Sequence, residues 1–313
     1  MKKFLILLSC LFLVSCSPQR YSTQIFGYFD TVVTVDGYFE SENEFKKAVK
    51  ITEETLRKYH NLFDIHTSGK LKALNEERVS FDKELIKAIN FGIKAEEVTR
   101  GKCNIALGSV LSLWHKAREN EVLPKDSDLE SASLHTDISK IEINEDTVTL
   151  LDSISLDFGA IAKGYVADIL REKLTESGFD QMLVNLGGNV LVIGDKDGKG
   201  WNIGIQDPNN DSALIHTVKV SDSSLVTSGV YQRYFELDGK RYHHIISPDT
   251  LYPADEYLSV SVLYKESAWA DVLSTALFCT SIEEGKKILE NFENIGVLWI
   301  KKDGTKHFYG TLK

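Results

Sequence analysis

The sequence predicts an α+β fold whose mixed, largely antiparallel sheets are packed against helices. Runs with the two-residue period of a strand and runs with helical spacing are mixed along the chain, without the regular strand–helix–strand alternation of a doubly wound sheet. Two tight-turn signals, Asp238-Gly239 and Asp303-Gly304, separate short runs that fit the arms of hairpins. The sequence contains neither a Gly-x-Gly-x-x-Gly fingerprint nor a Walker loop.

The first residues have the pattern of an export signal. Lys2 and Lys3 precede an almost wholly apolar run from Phe4 to Val14, which is too short for an ordinary membrane span. The run ends in Leu-Val-Ser-Cys16, which resembles a bacterial lipobox and implies cleavage before Cys16 with lipid on its sulfur. An ordinary cleaved signal peptide is the alternative. We therefore predict a lipoprotein signal peptide over 1–15, a tether over 16–22 and one domain over 23–313.

The predicted elements of the N-terminal half are a strand and two helices, followed by shorter pieces. Phe29–Val35 alternates at strand period, and Ser41–Tyr59 has helical spacing with Ser41 and Glu44 resembling a capping box. Phe81–Val98 is a second amphipathic helix that ends at Gly101. The remaining predictions here are a short helix within 124–134 and short strands within 138–156.

The predicted elements of the C-terminal half alternate between helices and hairpins. A helical apolar stripe follows Ile161 and closes at Gly178, and two strand pieces then flank Gly187-Gly188. Ser267 is the predicted cap of a later helix. The other predictions are a hairpin over 234–242, a strand over 257–264 and a last hairpin that turns at 303–304.

The stretch LDFGAIAKG, residues 156–164, places charged residues inside a run of small and apolar ones. A strand ending at Asp157, followed by Gly159-Ala160 and then a helix, would direct free amide groups outward. Helix starts of this kind bind phosphates. Lys163 would lie in the first turn, where the helix dipole disfavours a cation, and this suggests a bound anion or acidic partner. The alternative is a simple strand-to-helix turn with Lys163 in water.

Three oxygen-bearing side chains share one face of the helix predicted after residue 267. Asp271, Ser274 and Thr275 fall at positions i, i+3 and i+4. Carboxylate and hydroxyl oxygens suit Mg²⁺, which takes its other ligands from phosphates and water. The alternative is the solvated polar face of an amphipathic helix.

Two adjacent histidines follow the predicted hairpin over 234–242. His243 and His244 would point to opposite faces of a strand, so only one of them can face a site. A histidine with a near-neutral pKa is the usual general base, and a structural histidine is the alternative. Upstream, NLGGN at 185–189 allows close approach of a ligand or forms an ordinary bulge.

Net charge and cysteine content limit the partners and the covalent framework. The formal net charge of −10 does not suit a nucleic-acid partner. Beyond Cys10 and Cys16 only Cys103 and Cys279 remain, too few for a disulfide framework. The sequence leaves open whether these two thiols pair or stay free.

The order of the motifs resembles the FAD:protein FMN transferase family, the ApbE-type flavin transferases. LDFGAIAKGYVAD, NLGGN, SGVYQRYFELDGKRYHHIISP and ADVLSTAL follow one another as in that family. FDTVVTV, LKALN and GKCNIALG are similar to its upstream segments, so the resemblance covers most of residues 27–313. It implies a T-fold-related architecture, and lipid-anchored export also fits the family.

The resemblance implies a magnesium site and a flavin site. The Ala160 carbonyl, the Asp271 carboxylate and the Thr275 hydroxyl match the magnesium ligands, with Ser274 contributing from the same turn. His244 matches the expected general base, with His243 as the alternative. The positions that match contacts to FAD are Phe29, Asn104, Asp157, Lys163 and Ile245.

Two departures from the family pattern bear on the flavin contacts. The family commonly has Met-Gly-Thr where this chain has Phe29-Asp30-Thr31. His66 stands where the family has an aromatic flavin contact.

The activity that the resemblance implies is Mg²⁺-dependent transfer of the FMN part of FAD to a threonine hydroxyl of a target protein, with release of AMP. The alternatives are Mg²⁺-dependent hydrolysis of FAD to FMN and AMP, and flavin binding without turnover. The expected partners are FAD, threonine-bearing membrane redox subunits and the membrane itself through lipidated Cys16. The expected location is the periplasmic face or the cell surface.

Overall fold

The computed structural model describes residues 17–196 and 198–312. Within these residues the chain forms fifteen strands and eight α-helices. The helices are α1 (Glu42–Phe63), α2 (Lys70–Glu77), α3 (Lys83–Thr99), α4 (Gly108–Asn120), α5 (Asp126–Ser133), α6 (Ala162–Glu176), α7 (Ser267–Phe278) and α8 (Ile282–Leu289). The strands are β1 (Gln19–Tyr28), β2 (Thr31–Phe39), β3 (Val79–Ser80), β4 (Ile141–Asn144), β5 (Thr147–Leu150), β6 (Gln181–Leu186), β7 (Asn189–Gly194), β8 (Trp201–Asp207), β9 (Asn210–Val220), β10 (Ser224–Gly229), β11 (Tyr234–Leu237), β12 (Lys240–His243), β13 (Tyr257–Tyr264), β14 (Gly296–Lys301) and β15 (Lys306–Gly310).

Eight of these strands form one sheet, in the order β1-β2-β6-β7-β10-β13-β14-β15. Every neighbouring pair in this sheet is antiparallel. Three smaller antiparallel sheets join β3-β5-β4, β8-β9 and β11-β12. The predicted α+β class with largely antiparallel sheets is therefore confirmed.

Alternating strand residues give the large sheet two apolar faces. In β14, Val297 and Trp299 pack into the core that contains α7 and α8, while Leu298 and Ile300 pack into the core beside β8 and β9. Helices α1 and α6 cover the β2, β6 and β7 end of the first face. The sheet thus lies between a helical layer and the β8–β9 hairpin, as the two-residue period requires.

Helix α7 is the most buried helix of the fold, with ten of its twelve residues buried. It packs on β10 and β13 and contacts both α6 and α8. The predicted cap, Ser267, is instead the first residue of the helix. The Asp168 carboxylate in α6 accepts hydrogen bonds of 2.8 Å from the Ser267 and Ala268 amides. A side chain from a neighbouring helix therefore supplies the cap that we assigned to the local sequence.

The N-terminal boundary differs from the prediction in two ways. Gln19 already pairs with Phe39, so residues 19–22 of the predicted tether belong to β1 because their backbone groups bond to β2. Phe29 and Asp30, predicted as the start of a strand, form the turn between β1 and β2. The predicted signal peptide and Cys16 lie outside the described residues.

Two further observations concern the cysteines and the helices. Cys103 and Cys279 are both buried free thiols. Within residues 17–196 and 198–312, no helix combines the length and the hydrophobicity needed to cross a bilayer.

Candidate active site

A cavity of about 860 Å³ is lined by motifs that lie far apart in the sequence. This volume is in the range of cofactor and small-molecule sites. The wall includes the turn between β1 and β2, the loop after α1, the start of α6, the β6–β7 turn and one side of α7. The lining residues lie within 29–31, 63–67, 102–107, 157–163, 185–190, 225–233 and 244–246, together with His60, Leu111, His115, Arg118, Gly204, Gln206, Asp211, Pro248, Asp271 and Thr275.

The chain leading into α6 is fixed before it reaches the cavity. The Asn75 side chain donates to the Leu156 carbonyl at 2.9 Å and accepts from the Leu156 amide at 2.8 Å. The Asp157 amide then donates to the Ile105 carbonyl at 2.9 Å, and its carboxylate accepts from the Gly159 amide at 2.7 Å. These bonds hold the 157–160 backbone against the cavity, as close approach of a ligand requires. The prediction of free amide groups at this helix start is wrong for Gly159, Ile161, Ala162 and Gly164, because their amides donate to groups within the protein.

Gly164 brings the start of α6 into contact with α7. Its amide donates to Asp271 Oδ2 at 2.7 Å. A Cβ atom at this position would lie 2.4 Å from the Ser267 carbonyl oxygen and 2.5 Å from the Asp271 Cβ. Only glycine therefore permits this separation of the two helices, and residues 107 positions apart share one wall of the cavity.

Ala160, Asp271 and Thr275 line the cavity together. Asp271 is only 4% exposed, so the solvated-face interpretation of this helix is wrong. Burial raises the pKa of Asp271, while the charge of Lys163 and the Gly164 amide act in the opposite direction. A buried carboxylate beside a hydroxyl and a main-chain carbonyl is a donor set that fits a hard divalent cation.

Ser274 lies behind this wall. It is fully buried, and its hydroxyl donates to the Asp271 carbonyl at 2.9 Å and lies 2.8 Å from Ser228 Oγ. These bonds hold the Asp271 turn of α7 against β10. Among the described residues no group of three or more His, Cys, Asp or Glu side chains forms a metal cluster. The predicted site does not require one, because two of its three lining ligands are a carbonyl and a hydroxyl.

All five residues predicted to contact FAD line the cavity: Phe29, Asn104, Asp157, Lys163 and Ile245. The Asn104 amide is already used to shape its own loop. Its Nδ2 donates to the Thr136 carbonyl at 2.9 Å, and its Oδ1 accepts from the Ala106 amide at 2.8 Å. The structure therefore gives the Asn104 side chain a structural function in addition to its place at the cavity.

The two adjacent histidines have different surroundings. His243 is buried, with Nε2 donating to the Ala254 carbonyl at 2.8 Å and Nδ1 accepting from the Ile245 amide at 3.2 Å. His244 lines the cavity, and its Nδ1 donates to the Arg233 carbonyl at 3.2 Å. Because a carbonyl only accepts, the neutral ring carries its proton on Nδ1, which leaves Nε2 free to accept another.

The electrostatic surroundings of His244 keep it neutral. His244 is solvent-exposed and lines the cavity. Desolvation there, together with the positive charges of Arg233 and Lys163, lowers the pKa of His244 below its usual value. The ring is therefore an uncharged proton acceptor at neutral pH.

A second pair of histidines was only partly anticipated. His66 and His115 both line the cavity, with ring centroids 5.5 Å apart. The Asp64 carboxylate accepts from the amides of residues 66–68, which fixes the loop that carries His66. Burial alone would raise the pKa of Asp64, but these bonds hold it well below its usual value. No signal in the sequence pointed to His115, because α4 was not predicted.

Two arginines of the cavity wall were also missed. Arg118 and Arg233 line it from α4 and from the segment before β11. Arg233 stands inside the quoted motif SGVYQRYFEL, but nothing in its local pattern separates it from a solvated surface arginine.

Comparison with known proteins identifies the family. The chain matches the model of the ApbE family over residues 29–299. It is 34% identical over 236 residues to the FAD:protein FMN transferase of Klebsiella pneumoniae, covering 74% of this chain and 73% of that protein. It is 36% identical over 258 residues to the Treponema pallidum protein of the same name, covering 74% and 71%.

Solved structures agree with this match. The ApbE protein of Thermotoga maritima superposes with a TM-score of 0.85 and 28% identity, over 92% of this chain and 96% of that one. The Vibrio cholerae flavin transferase ApbE, at 24% identity and a TM-score of 0.80, supports the fold alone. The family model extends from the β1–β2 turn through α7, so it includes every segment that lines the cavity, and this chain belongs to the ApbE family.

Proposed function

We propose that this protein is an FAD:protein FMN transferase that moves the FMN part of FAD to a threonine hydroxyl of another protein and releases AMP. The observation that carries the proposal is the bond from the Gly164 amide to Asp271, which joins the α6 start and the acidic face of α7 in one cavity. The names of the curated relatives support the same activity.

The reaction forms one bond and breaks one. The threonine oxygen bonds to the FMN-side phosphorus, the phosphoanhydride bond to the AMP side breaks, and AMP leaves. The neutral His244, with Nε2 unprotonated, is placed to accept the threonine proton. Lys163 lies in the cavity within the first turn of α6 and offsets negative charge on the diphosphate.

The residues that would hold Mg²⁺ are Ala160, Asp271 and Thr275. When bound, the cation neutralises charge on the diphosphate, which phosphoryl transfer needs more than covalent help from the protein. Ser274 supports this arrangement from behind, through its bond to the Asp271 carbonyl. Ala160 lies just before α6 and lines the same cavity as Asp271 and Thr275, which supports its carbonyl as the third ligand.

The test is incubation of the protein with FAD, Mg²⁺ and a threonine-bearing acceptor, followed by mass spectrometry of the acceptor and chromatography of AMP. We expect Asp271→Asn, which preserves shape but removes charge, to abolish the mass gain while the protein still folds. Asp146→Asn, an exposed carboxylate outside the cavity, is the matched control and should transfer normally. Full transfer by Asp271→Asn would refute the metal assignment.

The same experiment separates the two alternatives. Release of free FMN and AMP without mass gain on any acceptor would identify an FAD hydrolase. Stoichiometric retention of FAD without AMP would identify a binding protein. The buried Asp271 favours turnover, since binding alone does not need a cation at the diphosphate.

We also propose that the enzyme is exported and anchored by lipid on Cys16, and that its acceptors are membrane redox subunits. The support is the apolar run that ends at Leu-Val-Ser-Cys16, together with the family resemblance.

A further inference from the structure

The turn between β1 and β2 is strained and forms part of the cavity wall. Phe29 has φ 52° and Asp30 has φ 48°, in the left-handed region that disfavours residues with side chains. Two-residue hairpin turns with two positive φ angles are normally made by Asn-Gly. Both residues line the cavity, so the strain lies at the site. Other contacts must therefore keep the turn in this conformation.

Arg233 contacts this turn through two hydrogen bonds from one guanidinium nitrogen. Its Nη2 donates to the Phe29 carbonyl at 2.7 Å and to the Asp30 carbonyl at 3.2 Å. The Asp30 carboxylate lies 4.0 Å from Nη1 and its side chain is 75% exposed, so this ion pair adds little. On the other side of the turn, the Phe29 amide donates to His60 Nδ1 at 3.3 Å.

The backbone of Arg233 contacts a second part of the site. Its carbonyl accepts from the His244 amide at 3.1 Å and from His244 Nδ1 at 3.2 Å. One residue thus joins the strained turn, through its side chain, to the proposed general base, through its main chain. Substitution of the side chain leaves the second contact available.

We propose that Arg233 is a positioning residue that holds the Phe29–Asp30 turn in the conformation that completes the FAD site. The proposal rests on the proposed function, because it takes FAD as the ligand. Arg233 acts through the backbone of the turn, which its planar guanidinium binds at two carbonyls at once. A lysine carries the same charge, but its nitrogen lies one bond closer to the backbone than Nη2 and does not reach the same position beside the two carbonyls.

The test uses two substitutions of Asp30 that differ only in strain. Asp30→Gly and Asp30→Ala both remove the carboxylate, but only glycine adopts a positive φ without cost. The measurement is the FAD dissociation constant of the full chain by flavin fluorescence, with Arg233→Met made in the native, Asp30→Ala and Asp30→Gly backgrounds.

We expect Arg233→Met to weaken FAD binding about tenfold in the native and Asp30→Ala backgrounds, which corresponds to about 1.4 kcal/mol. In the Asp30→Gly background the loss should be about threefold or less. Arg233→Lys should resemble Arg233→Met. In transfer assays KM for FAD should rise by a larger factor than kcat changes, because the main-chain contact to His244 remains.

Three outcomes would contradict these expectations. Equal losses in the Asp30→Gly and Asp30→Ala backgrounds would overturn the proposal, as would native affinity in Arg233→Lys, which would indicate simple charge attraction. A native protein that does not bind FAD would overturn the proposed function as well. Should Arg233→Met fail to fold, the two Asp30 variants alone decide: Asp30→Gly must bind FAD more tightly than Asp30→Ala.

Discussion

His243 and His244 show how two identical neighbouring residues acquire different functions from their hydrogen bonds. Both ring nitrogens of His243 are used within the protein, so it has none left for a substrate. The side-chain bond that the structure shows for His244 uses Nδ1, on a carbonyl, and the residue lines the cavity. The strand alternation predicted that one of the pair faces a site, and the structure shows that it is His244.

At this scale, His244→Gln is expected to lower kcat for transfer by about 10²–10⁴, the usual contribution of a general base, with little change in FAD affinity. The measurement is the initial rate of mass gain on the acceptor at saturating FAD. His307→Gln, at a position outside the cavity, serves as the control. A kcat within twofold of native for His244→Gln would rule out the general-base assignment.

His243 leads to a prediction about stability and pH. Burial lowers its pKa below the ordinary value of 6.5, so the unfolded chain binds a proton that the folded chain does not. The free energy of unfolding therefore carries no penalty from His243 above pH 6.5, where the ring is neutral in both states. It decreases as the pH falls below 6.5, because protons bind preferentially to the unfolded chain.

We expect the free energy of unfolding to fall as the pH drops from 7.5 to 5, measured by urea denaturation. In His243→Gln the free energy of unfolding should fall less steeply with decreasing pH, by up to about 1.4 kcal/mol per pH unit. An unchanged slope in that variant would contradict the assignment.

At the scale of elements, the contact between α6 and α7 decides whether the site exists. Gly164 sets the separation of the two helices, and Asp168, one turn further along α6, caps α7. A single face of α6 therefore fixes both the position and the start of the helix that carries Asp271. Motifs from distant parts of the sequence become one site through this packing.

Gly164→Ala tests that contact, and the sign of the resulting change in unfolding free energy is informative. In a helix interior alanine normally stabilises by about 0.5–1 kcal/mol relative to glycine. Here the added methyl group overlaps the Ser267 carbonyl and Asp271, so we expect a loss of about 1–3 kcal/mol in unfolding free energy and most of the transfer activity. Chemical denaturation measures the first effect, and Glu176→Ala, exposed on the same helix, should change stability by less than about 0.5 kcal/mol. A stabilised Gly164→Ala would mean that the helices are free to separate.

Several elements could be predicted from local pattern, and others could not. Ser41 caps α1 and accepts from the Glu44 amide as the capping-box pattern indicated, and β13 begins and ends at the predicted residues. α8 carries a similar signal, Ser281 with Glu284, that we overlooked. The cap of α7 could not be predicted, because Asp168 is 99 residues away from Ser267 in the chain.

At the scale of the whole molecule, motifs in the sequence identified most of the predicted site residues but not how they are arranged in space. Asp271 was predicted through its motif, yet its burial depends on α6, β10 and β13 closing around α7. Arg233 and His115 were missed because their function depends on which distant backbone or ring lies beside them. Long-range packing of this kind leaves no periodic trace in the sequence.

The lipid anchor is also a property of the whole molecule, and it remains a prediction. Cys16→Ser should no longer incorporate labelled fatty acid, because the thiol that would carry the lipid is lost. Metabolic labelling followed by immunoprecipitation measures this. Cys10→Ser, at the other cysteine of the apolar run, is the control and should still be labelled. Labelling of Cys16→Ser at the native level would exclude lipid on Cys16.

The early start of β1 has a mechanical consequence for such an enzyme. With Gln19 already hydrogen-bonded into the sheet, only Ser17 and Pro18 separate the folded body from Cys16. Three consecutive Cα steps reach about 10 Å at most. With lipid on Cys16, so short a connection would confine the enzyme to a thin layer above the lipid headgroups. An acceptor threonine would then have to be presented within that layer, and encounters would become a search in two dimensions.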